Sequence, residues 1–258
     1  MEVLSLARPR HSFVVRRTER LTGHLIRVYL GGPGFATFEP SEFTDSYVKL
    51  VFPGPDGDTV RTYTVRAVDP EQQEIAIDFV YHGDEGVAGP WAAAAKSGDE
   101  IELMGPSGAY SPRADADWHL LAGDEAALPA IATACAALPA GAVGRAFVEI
   151  AGPADELDFT RPEGVELTWI HRGDQAPGEA LAAAVRSEPW RDGQAHVFIH
   201  GEAQAVMHDL RPYVRKERGV PAAWASISGY WRRGRTEETF REWKRELAER
   251  EGTVPAGR

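Results

Sequence analysis

Short apolar and β-branched runs separated by turn residues occupy the first hundred positions of the chain. Apolar and polar residues alternate within many of these runs, which is the period of two expected of a half-buried strand. Glycine- and proline-rich stretches such as 31–34 and 53–58 separate them. Because the runs lack long crossover connections, they predict an antiparallel barrel or sandwich. The predicted strands are residues 12–20, 24–30, 47–52, 60–68, 74–81 and 100–104.

The pattern changes after Pro112 to apolar strand, loop and helix, repeated along the rest of the chain. Nearly continuous apolar strands joined by helices predict a parallel sheet that is covered on both faces. The predicted strands are residues 118–122, 145–151, 166–170, 196–200 and 224–228, and the predicted helices are 126–138, 179–187, 203–218 and 236–249. The sequence therefore predicts two domains, residues 1–113 as an antiparallel six-stranded β-barrel and residues 114–258 as an α/β domain with a parallel five-stranded sheet.

Composition and charge limit the classes of function. The formal net charge of -11 disfavours nucleic acid and anionic membranes as partners. No apolar stretch approaches the roughly 20 residues that cross a bilayer, and the N-terminus lacks a compact apolar signal core. We therefore expect a cytoplasmic protein, and a monomer for want of an exposed apolar stripe. The single cysteine, Cys135, excludes intramolecular disulfides, iron-sulfur clusters and thiolate zinc sites, so we predict no metal site and an organic redox cofactor.

Unusual residues follow the predicted parallel strands at the end where an open sheet binds ligands. Glycine there permits close approach of a ligand, and a following helix N-terminus favours anions, although any one glycine is better explained by the need to turn and only the collective pattern is informative. The dinucleotide fingerprint Gly-x-Gly-x-x-Gly is absent. The positions that follow the five strands are Gly123-Asp124-Glu125, Gly152, His171-Arg172-Gly173, Gly201-Glu202 and Gly229-Tyr230-Trp231-Arg232-Arg233-Gly234.

Two segments of the first half suit a flat ring system that carries a diphosphate. In the strand Arg61-Thr62-Tyr63-Thr64-Val65-Arg66, Tyr63 can stack on a ring, Thr64 can bond its edge and Arg61 can meet phosphate. The alternative is an ordinary solvent-facing strand. The glycine-rich turn from His82 to Trp91 enters a helix and forms a candidate anion site, with Trp91 alternatively a core anchor. The residues of this turn that we single out are His82, Gly86, Ala88, Gly89 and Trp91.

Together these motifs resemble the siderophore-interacting proteins, which are FAD-dependent ferric-siderophore reductases of the ferredoxin-NADP reductase superfamily. The resemblance covers nearly the whole chain. The Arg-x-Tyr-Thr element is shared across the superfamily, whereas Asp-Glu-x-Ala-Leu-Pro and Gly-Tyr-Trp-Arg are specific to the siderophore branch. The matching segments are residues 47–50, 61–66, 82–83, 86–91, 123–130, 171–173, 200–202 and 229–234.

The resemblance implies an FAD-binding barrel, an NAD(P)H-binding α/β domain and a flavin between them. Electrons would pass from NADPH or NADH through FAD to a ferric siderophore or another anionic ferric chelate, with release of ferrous iron. The implied cofactor-binding residues are Arg61, Tyr63, Thr64, His82, Gly86, Ala88, Gly89, Trp91, Asp124, Glu125, Gly201, Glu202 and Trp231, and the implied substrate-binding residues are Lys49, Arg232 and Arg233. Ser107 stands where some family members have arginine, which leaves the charge of the chelate pocket open.

Several alternatives remain at this level. The terminal acceptor of a general flavin or ferredoxin-type reductase would be a protein or free flavin, and a ferric-chelate-binding module would perform no turnover. At least one of Arg232, Arg233 and Arg235 is expected to face solvent. The choice between NADH and NADPH is also open, because the basic helix end at 215–218 either meets a 2′-phosphate or complements the helix dipole.

Overall fold

The N-terminal half forms a closed barrel of six antiparallel strands. The structure is a computed structural model, and it describes residues 10–55 and 57–250. The strand order around the barrel is β1-β2-β5-β4-β3-β6, which confirms the predicted barrel. The strands are β1 (Arg10–Arg20), β2 (Leu25–Gly31), β3 (Tyr47–Phe52), β4 (Thr59–Asp69), β5 (Glu74–Val80) and β6 (Glu100–Ser107).

The interior of the barrel is filled by inward side chains of alternating strand positions, among them Phe13, Leu50 and Ile77, all fully buried. A short helix, α1 (Ala88–Ala94), packs against this core through Ala88 and Ala92. The sequence pattern predicted a helix only from about residue 92, so α1 begins earlier than expected. It follows the glycine-rich turn directly, which is how that turn comes to lie against the barrel.

The C-terminal half is a five-stranded parallel sheet, as predicted, and its strand order is β11-β10-β7-β8-β9. Its strands are β7 (Trp118–Gly123), β8 (Gly144–Ile150), β9 (Val165–His171), β10 (Ala195–Glu202) and β11 (Ala225–Trp231). Its α-helices are α2 (Leu128–Ala137), α3 (Glu179–Ser187) and α4 (Glu237–Arg250). No helix of the described residues is long and apolar enough to cross a membrane.

One face of the parallel sheet carries α2, whose residues Ile131 and Cys135 are fully buried. This helix also contacts the barrel, since the Thr133 hydroxyl donates to the backbone oxygen of Arg66 in β4 at 3.2 Å. The other face is covered by α3 and by the helical segment 204–217. Because α2 lies between the sheet and β4, the strand that carries the Arg-x-Tyr-Thr motif is held beside the parallel sheet.

The helix predicted at 203–218 differs most from expectation. It is wound as two π-helical stretches, Gln204–Leu210 and Tyr213–Glu217, rather than as one α-helix. Pro212 lies between them and lacks the N–H that a continuous ladder needs. Such wider turns are uncommon, and a search for a period of 3.6 residues does not detect them.

The domain boundary between residues 113 and 114 stays a prediction. Strand β6 ends at Ser107, three residues beyond its predicted end at 104.

Candidate functional site

Strand β4 brings the predicted flavin residues to the side of the barrel nearest the parallel sheet. Thr64 is buried, and the ring of Tyr63 packs on Phe79 with 4.5 Å between centroids. Burial raises the pKa of the Tyr63 phenol, so the ring stays neutral. Pairing with β5 shifts in register between Val65 and Ala67, which takes Arg66 out of the regular ladder. Tyr63 and Thr64 are consecutive residues, so the aromatic ring and the hydroxyl lie on opposite faces of β4.

The first turn of α4 lies directly over the beginning of this motif. Arg61 Nη1 donates to Glu238 Oε1 at 2.5 Å, and the Thr62 hydroxyl donates to Glu237 Oε1 at 3.0 Å. The backbone N–H of Thr62 also donates to Glu237, at 3.3 Å. Thr236 caps this helix, and its hydroxyl accepts from the Thr239 N–H at 3.4 Å. The arginine predicted to meet a flavin phosphate thus has a carboxylate partner from the far end of the chain.

The segment after β11 joins the parallel sheet to the barrel. Tyr230 hydrogen-bonds Thr64, and burial raises the pKa of its phenol. Its ring meets His200 edge-on with 4.8 Å between centroids. The next residue, Trp231, turns the other way, and its Nε1 donates to Asp124 Oδ2 at 2.7 Å. Residues 230 and 231 therefore contact both β4 of the barrel and the loop after β7 of the parallel sheet.

Asp124 is the centre of the contacts at the carboxyl edge, the name we give to the ends of β7–β11 from which their following loops leave. Besides Trp231, its carboxylate accepts from the backbone N–H of Glu202 at 2.8 Å and of Ala126 at 3.0 Å. A Cβ at Gly201 would lie 2.7 Å from a carboxylate oxygen of Asp124, so only glycine allows this approach. Burial and then the charge of Glu125 raise the pKa of Asp124 to about 7, against the opposing effect of the Trp231 hydrogen bond.

The other predicted acidic residues of this edge are also engaged within the chain. Glu202 accepts from the backbone N–H of Gln204 at 2.6 Å and of Ala205 at 3.1 Å, at the start of the helical segment 204–217. Glu125 holds Arg172 through two hydrogen bonds of 2.9 and 3.0 Å. Their geometry is that of intramolecular caps and ion pairs. The predicted cofactor roles of Asp124, Glu125, Gly201, Glu202 and Trp231 stay predictions.

A fully buried carboxylate that the sequence did not single out completes this edge. Glu149, in β8, accepts from the backbone N–H of Gly178 at 2.8 Å and of Leu181 at 3.1 Å, and so caps α3. Arg172 Nη1 lies 3.4 Å from Glu149 Oε1, the oxygen that also accepts from Gly178. A charged residue inside an apolar strand run is the signal that could have marked it, because such a residue must find partners.

The glycine-rich turn lies at the barrel side of the site. Gly83 and Gly86 have positive φ, and a Cβ built on either meets no atom within 4 Å, so the turn has open space beside it. His82 is tilted against His24 with 6.3 Å between ring centroids. Trp91 packs in the barrel core, 5.6 Å from Phe52 and 5.5 Å from Phe79. Ala88 and Gly89 are buried at the start of α1.

Lysine and arginine side chains collect where α4 passes the barrel. Burial is the main cause that lowers the pKa of Lys244 of α4; the charge of Glu237 opposes this, and the charges of Arg241 and then of Lys49 in β3 add to it. The guanidinium of Arg232 lies 4.3 Å above the ring of Trp243, and its Nη1 is buried without a hydrogen-bond partner in the described part of the chain. Lys49, Arg232 and Lys244 form what we call the basic cluster.

Arg233 and Arg235 are exposed, and Arg235 donates to the backbone oxygen of Thr239 at 3.3 Å. Lys244 was not anticipated. The spacing of the apolar residues Phe240, Trp243 and Leu247 indicates which face of α4 packs against the rest of the protein. Lys244 borders that face, so this spacing is a sequence signal that could have identified it.

These residues fit FAD on chemical grounds. The site offers an aromatic ring, a buried hydroxyl, an arginine and a glycine turn with open space beside it, which match a flat ring system that carries a diphosphate. The described residues hold no group of three His, Cys, Asp or Glu side chains placed to bind a metal ion. Two members of the set already have partners within the chain, Arg61 in Glu238 and Thr64 in Tyr230.

Known proteins agree with this arrangement. Residues 116–234 match the family described as siderophore-interacting protein, and residues 14–60 and 56–110 match the siderophore-interacting FAD-binding domain. An uncharacterised protein of Mycobacterium tuberculosis is 57% identical over 95% of this chain and 98% of its own. The NADPH-dependent ferric-chelate reductase of Escherichia coli is 30% identical over 84% of this chain and 91% of its own. A siderophore utilization protein from T. fusca superposes with a TM-score of 0.81 at 36% identity, over 88% of this chain and 94% of its own.

Protonation of Asp124 predicts a specific dependence of stability on pH. Its pKa of about 7 in the folded protein lies above the ordinary value, so the folded state holds the proton over a range in which the unfolded chain has lost it. The contribution of this group to the free energy of unfolding therefore falls as pH rises from about 4 to about 7. Asp124→Asn, which cannot ionise, should lack this component. Denaturant unfolding at pH 5 and pH 8 measures it.

The matched control is Asp115→Asn, because Asp115 is an exposed carboxylate with a lowered pKa due first to its hydrogen bond with Arg113. That variant should keep the component assigned to Asp124. If Asp124→Asn and the parent protein show the same change in unfolding free energy between the two pH values, the protonation assigned to Asp124 is wrong.

Proposed function

We propose that this chain, which belongs to the siderophore-interacting protein family, is an FAD-dependent reductase that passes electrons from NAD(P)H to ferric siderophores and releases ferrous iron. The proposal depends on one observation: the strand with the candidate flavin residues lies beside the basic cluster. Tyr230 touches Thr64 of the flavin strand, and Arg232, two residues further on, belongs to the basic cluster. A flavin held by β4 and an anion held by the cluster would therefore be neighbours.

When bound, FAD accepts a hydride from a reduced nicotinamide and can give up the two electrons singly, which one-electron acceptors such as ferric iron require. The side chains of the protein would position FAD and set the charge around it. Thr64 would bond the ring edge, Tyr63 would pack against the ring, and Arg61 would meet phosphate once it leaves Glu238. His82, Gly86, Ala88, Gly89 and Trp91 would form the diphosphate side of the site.

The basic cluster would bind the anionic ferric chelate. The pKa of Lys244 is lowered mainly by burial, with a smaller contribution from the charge of Lys49, so an anion bound beside Lys244 would favour its charged form. Arg232 has an N–H group that is buried without a protein acceptor among the described residues, and a ligand oxygen would satisfy it. Arg233 is exposed and would add to the attraction at longer range. Ferrous iron then leaves, because hard oxygen ligands hold it less tightly than ferric iron.

Two other functions are weaker candidates. A reductase with a protein or free flavin as acceptor would use the same flavin residues but has no need of the half-buried cations of the basic cluster. A binding module without turnover leaves the Arg-Thr-Tyr-Thr strand and the glycine turn without a purpose. The relative from E. coli is named a ferric-chelate reductase, which favours the first proposal.

Anaerobic spectroscopy tests the proposal. The purified protein should carry flavin with absorbance near 450 nm, this band should bleach when NADH or NADPH is added, and a ferric chelate should restore it. Free riboflavin and a ferredoxin should restore it more slowly. A protein that binds no flavin, or one whose reduced flavin is reoxidised equally by every acceptor, would sink the proposal.

The contribution of Lys244 predicts a kinetic effect. Lys244→Ala removes one cation from the basic cluster and should raise KM for an anionic ferric chelate by about tenfold at low salt, with a smaller change in kcat. Steady-state kinetics with an anionic and an uncharged ferric chelate measure this difference. Lys96→Ala, at an exposed position in the loop between α1 and β6, is the control and should leave both values unchanged. Equal loss with both chelates would contradict a charge role for Lys244.

The ion pair between Arg61 and Glu238 predicts that α4 competes with FAD. Glu238→Gln should free Arg61 for phosphate and tighten FAD binding about threefold, since an ion pair with one partner more than half exposed contributes only a modest energy. Fluorescence titration of the apoprotein with FAD measures the dissociation constant. Glu242→Gln, an exposed carboxylate on the same helix, should not change it. Weaker FAD binding by Glu238→Gln would show that Glu238 supports the site.

A further inference from the structure

Arg66 lies on the outer face of β4, the face that also carries Thr64. Val65 is buried in the barrel core, so the residues on either side of it, Thr64 and Arg66, point away from that core. The shift of register between Val65 and Ala67 takes Arg66 out of the regular ladder with β5. Two strand residues span only about 7 Å. A flat ligand that contacts Thr64 is therefore within reach of the Arg66 side chain.

Elements of the α/β domain cover this part of β4. Tyr230 hydrogen-bonds Thr64, and the Thr133 hydroxyl of α2 donates to the backbone oxygen of Arg66 at 3.2 Å. Arg66 is half-buried there, although it is a charged residue on the outside of the barrel. It thus lies where the two domains meet, on the strand that the proposed function assigns to the flavin.

The guanidinium of Arg66 has neither a hydrogen bond nor an ion pair among the residues that the structure describes. The carboxylate whose charge acts on it is that of Asp78 in β5. The Asp78 side chain is only 3% exposed and is already bound by Arg27 of β2, through hydrogen bonds of 2.6 and 2.8 Å. Two arginines therefore share one buried carboxylate, and the group keeps a net positive charge.

The electrostatic surroundings of Arg66 disfavour its charge. Burial is the main cause that lowers the pKa of Arg66, and the charge of Arg27 adds to this effect, whereas Asp78 and Tyr29 oppose it. An arginine nevertheless stays protonated in proteins. A negative charge brought beside Arg66 would therefore be stabilised, because it would supply the partner that the described part of the chain does not.

We propose that Arg66 contacts the flavin ring and stabilises the negative charge that the ring gains on reduction. The inference rests on the proposed function, which places the ring edge at Thr64. An oxidised flavin that accepts a hydride gains two electrons and one proton, so near neutral pH its neutral ring becomes an anion. Charge near the ring nitrogens is one of the means by which a protein tunes a flavin. Arg66 would thus raise the midpoint potential of the bound flavin.

Redox titration of the flavin-loaded protein tests this without turnover. Arg66→Gln should weaken the binding of reduced FAD relative to oxidised FAD by about tenfold, which for a two-electron couple lowers the midpoint potential by about 30 mV. Arg66→Lys keeps a cation at this position and should retain most of the parent potential. Fluorescence titration with oxidised FAD should give dissociation constants within about twofold of each other for the three proteins, because the oxidised ring is neutral.

Two comparisons separate a charge effect from a structural one. Arg10→Gln is the matched control, because Arg10 lies on β1, which is opposite β4 in the order of strands around the barrel, and it should leave the potential unchanged. The difference between the parent protein and Arg66→Gln should also shrink at acidic pH, where the reduced ring takes up a second proton and loses its charge. Arg66→Gln should fold, since it removes a half-buried charge that has no protein partner among the described residues.

An unchanged midpoint potential in Arg66→Gln would overturn the inference, as would an equal fall in Arg66→Lys or in Arg10→Gln. The proposed function is judged separately. If FAD binds and a ferric chelate reoxidises it while the potential is indifferent to Arg66, only the inference fails. If the protein binds no flavin, both fail.

Discussion

The carboxylate of Asp124 organises the site. It accepts hydrogen bonds from Ala126, Glu202 and Trp231, and so ties together the loops after β7, β10 and β11. Because Trp231 is held on that side, the preceding Tyr230 reaches the barrel and bonds Thr64. The adjacency of flavin strand and basic cluster thus depends on one buried acid. A carboxylate with three donors is well satisfied, yet its burial is costly enough to raise its pKa to about 7.

Acidic and basic side chains are also separated from each other around the site. The chain has a net charge of -11, yet its acidic and basic side chains lie in different places. At the ends of β7–β10, Glu149 and Glu202 accept from N–H groups of helix N-termini, Asp124 accepts from loop N–H groups and from Trp231, and Glu125 binds Arg172. The cations Lys49, Arg232 and Lys244 lie at the barrel and α4 instead.

Much of this fold could be predicted from the sequence, because strand periodicity and turn residues are local. All eleven strands were placed to within three residues at each end, and α3 was placed without error. The contacts that build the site are not local. Arg61 meets Glu238 across 177 positions, and Asp124 meets Trp231 across 107, so neither pattern nor motif could pair them. Asp124 and Glu202 were predicted from their place after strands, but the loop contacts of Asp124 and the helix cap made by Glu202 depend on neighbours that only the folded chain supplies.

The central claim is that electrons pass through this site to ferric iron, and the stoichiometry of that transfer tests it most directly. The flavin-loaded protein is mixed anaerobically with a limiting amount of NADH and excess ferric siderophore, and ferrous iron is trapped with a ferrous-specific chelator. A hydride carries two electrons, so the account predicts about two ferrous ions per dinucleotide oxidised. NADH oxidation without ferrous iron, or ferric siderophore bound without any oxidation, would contradict it.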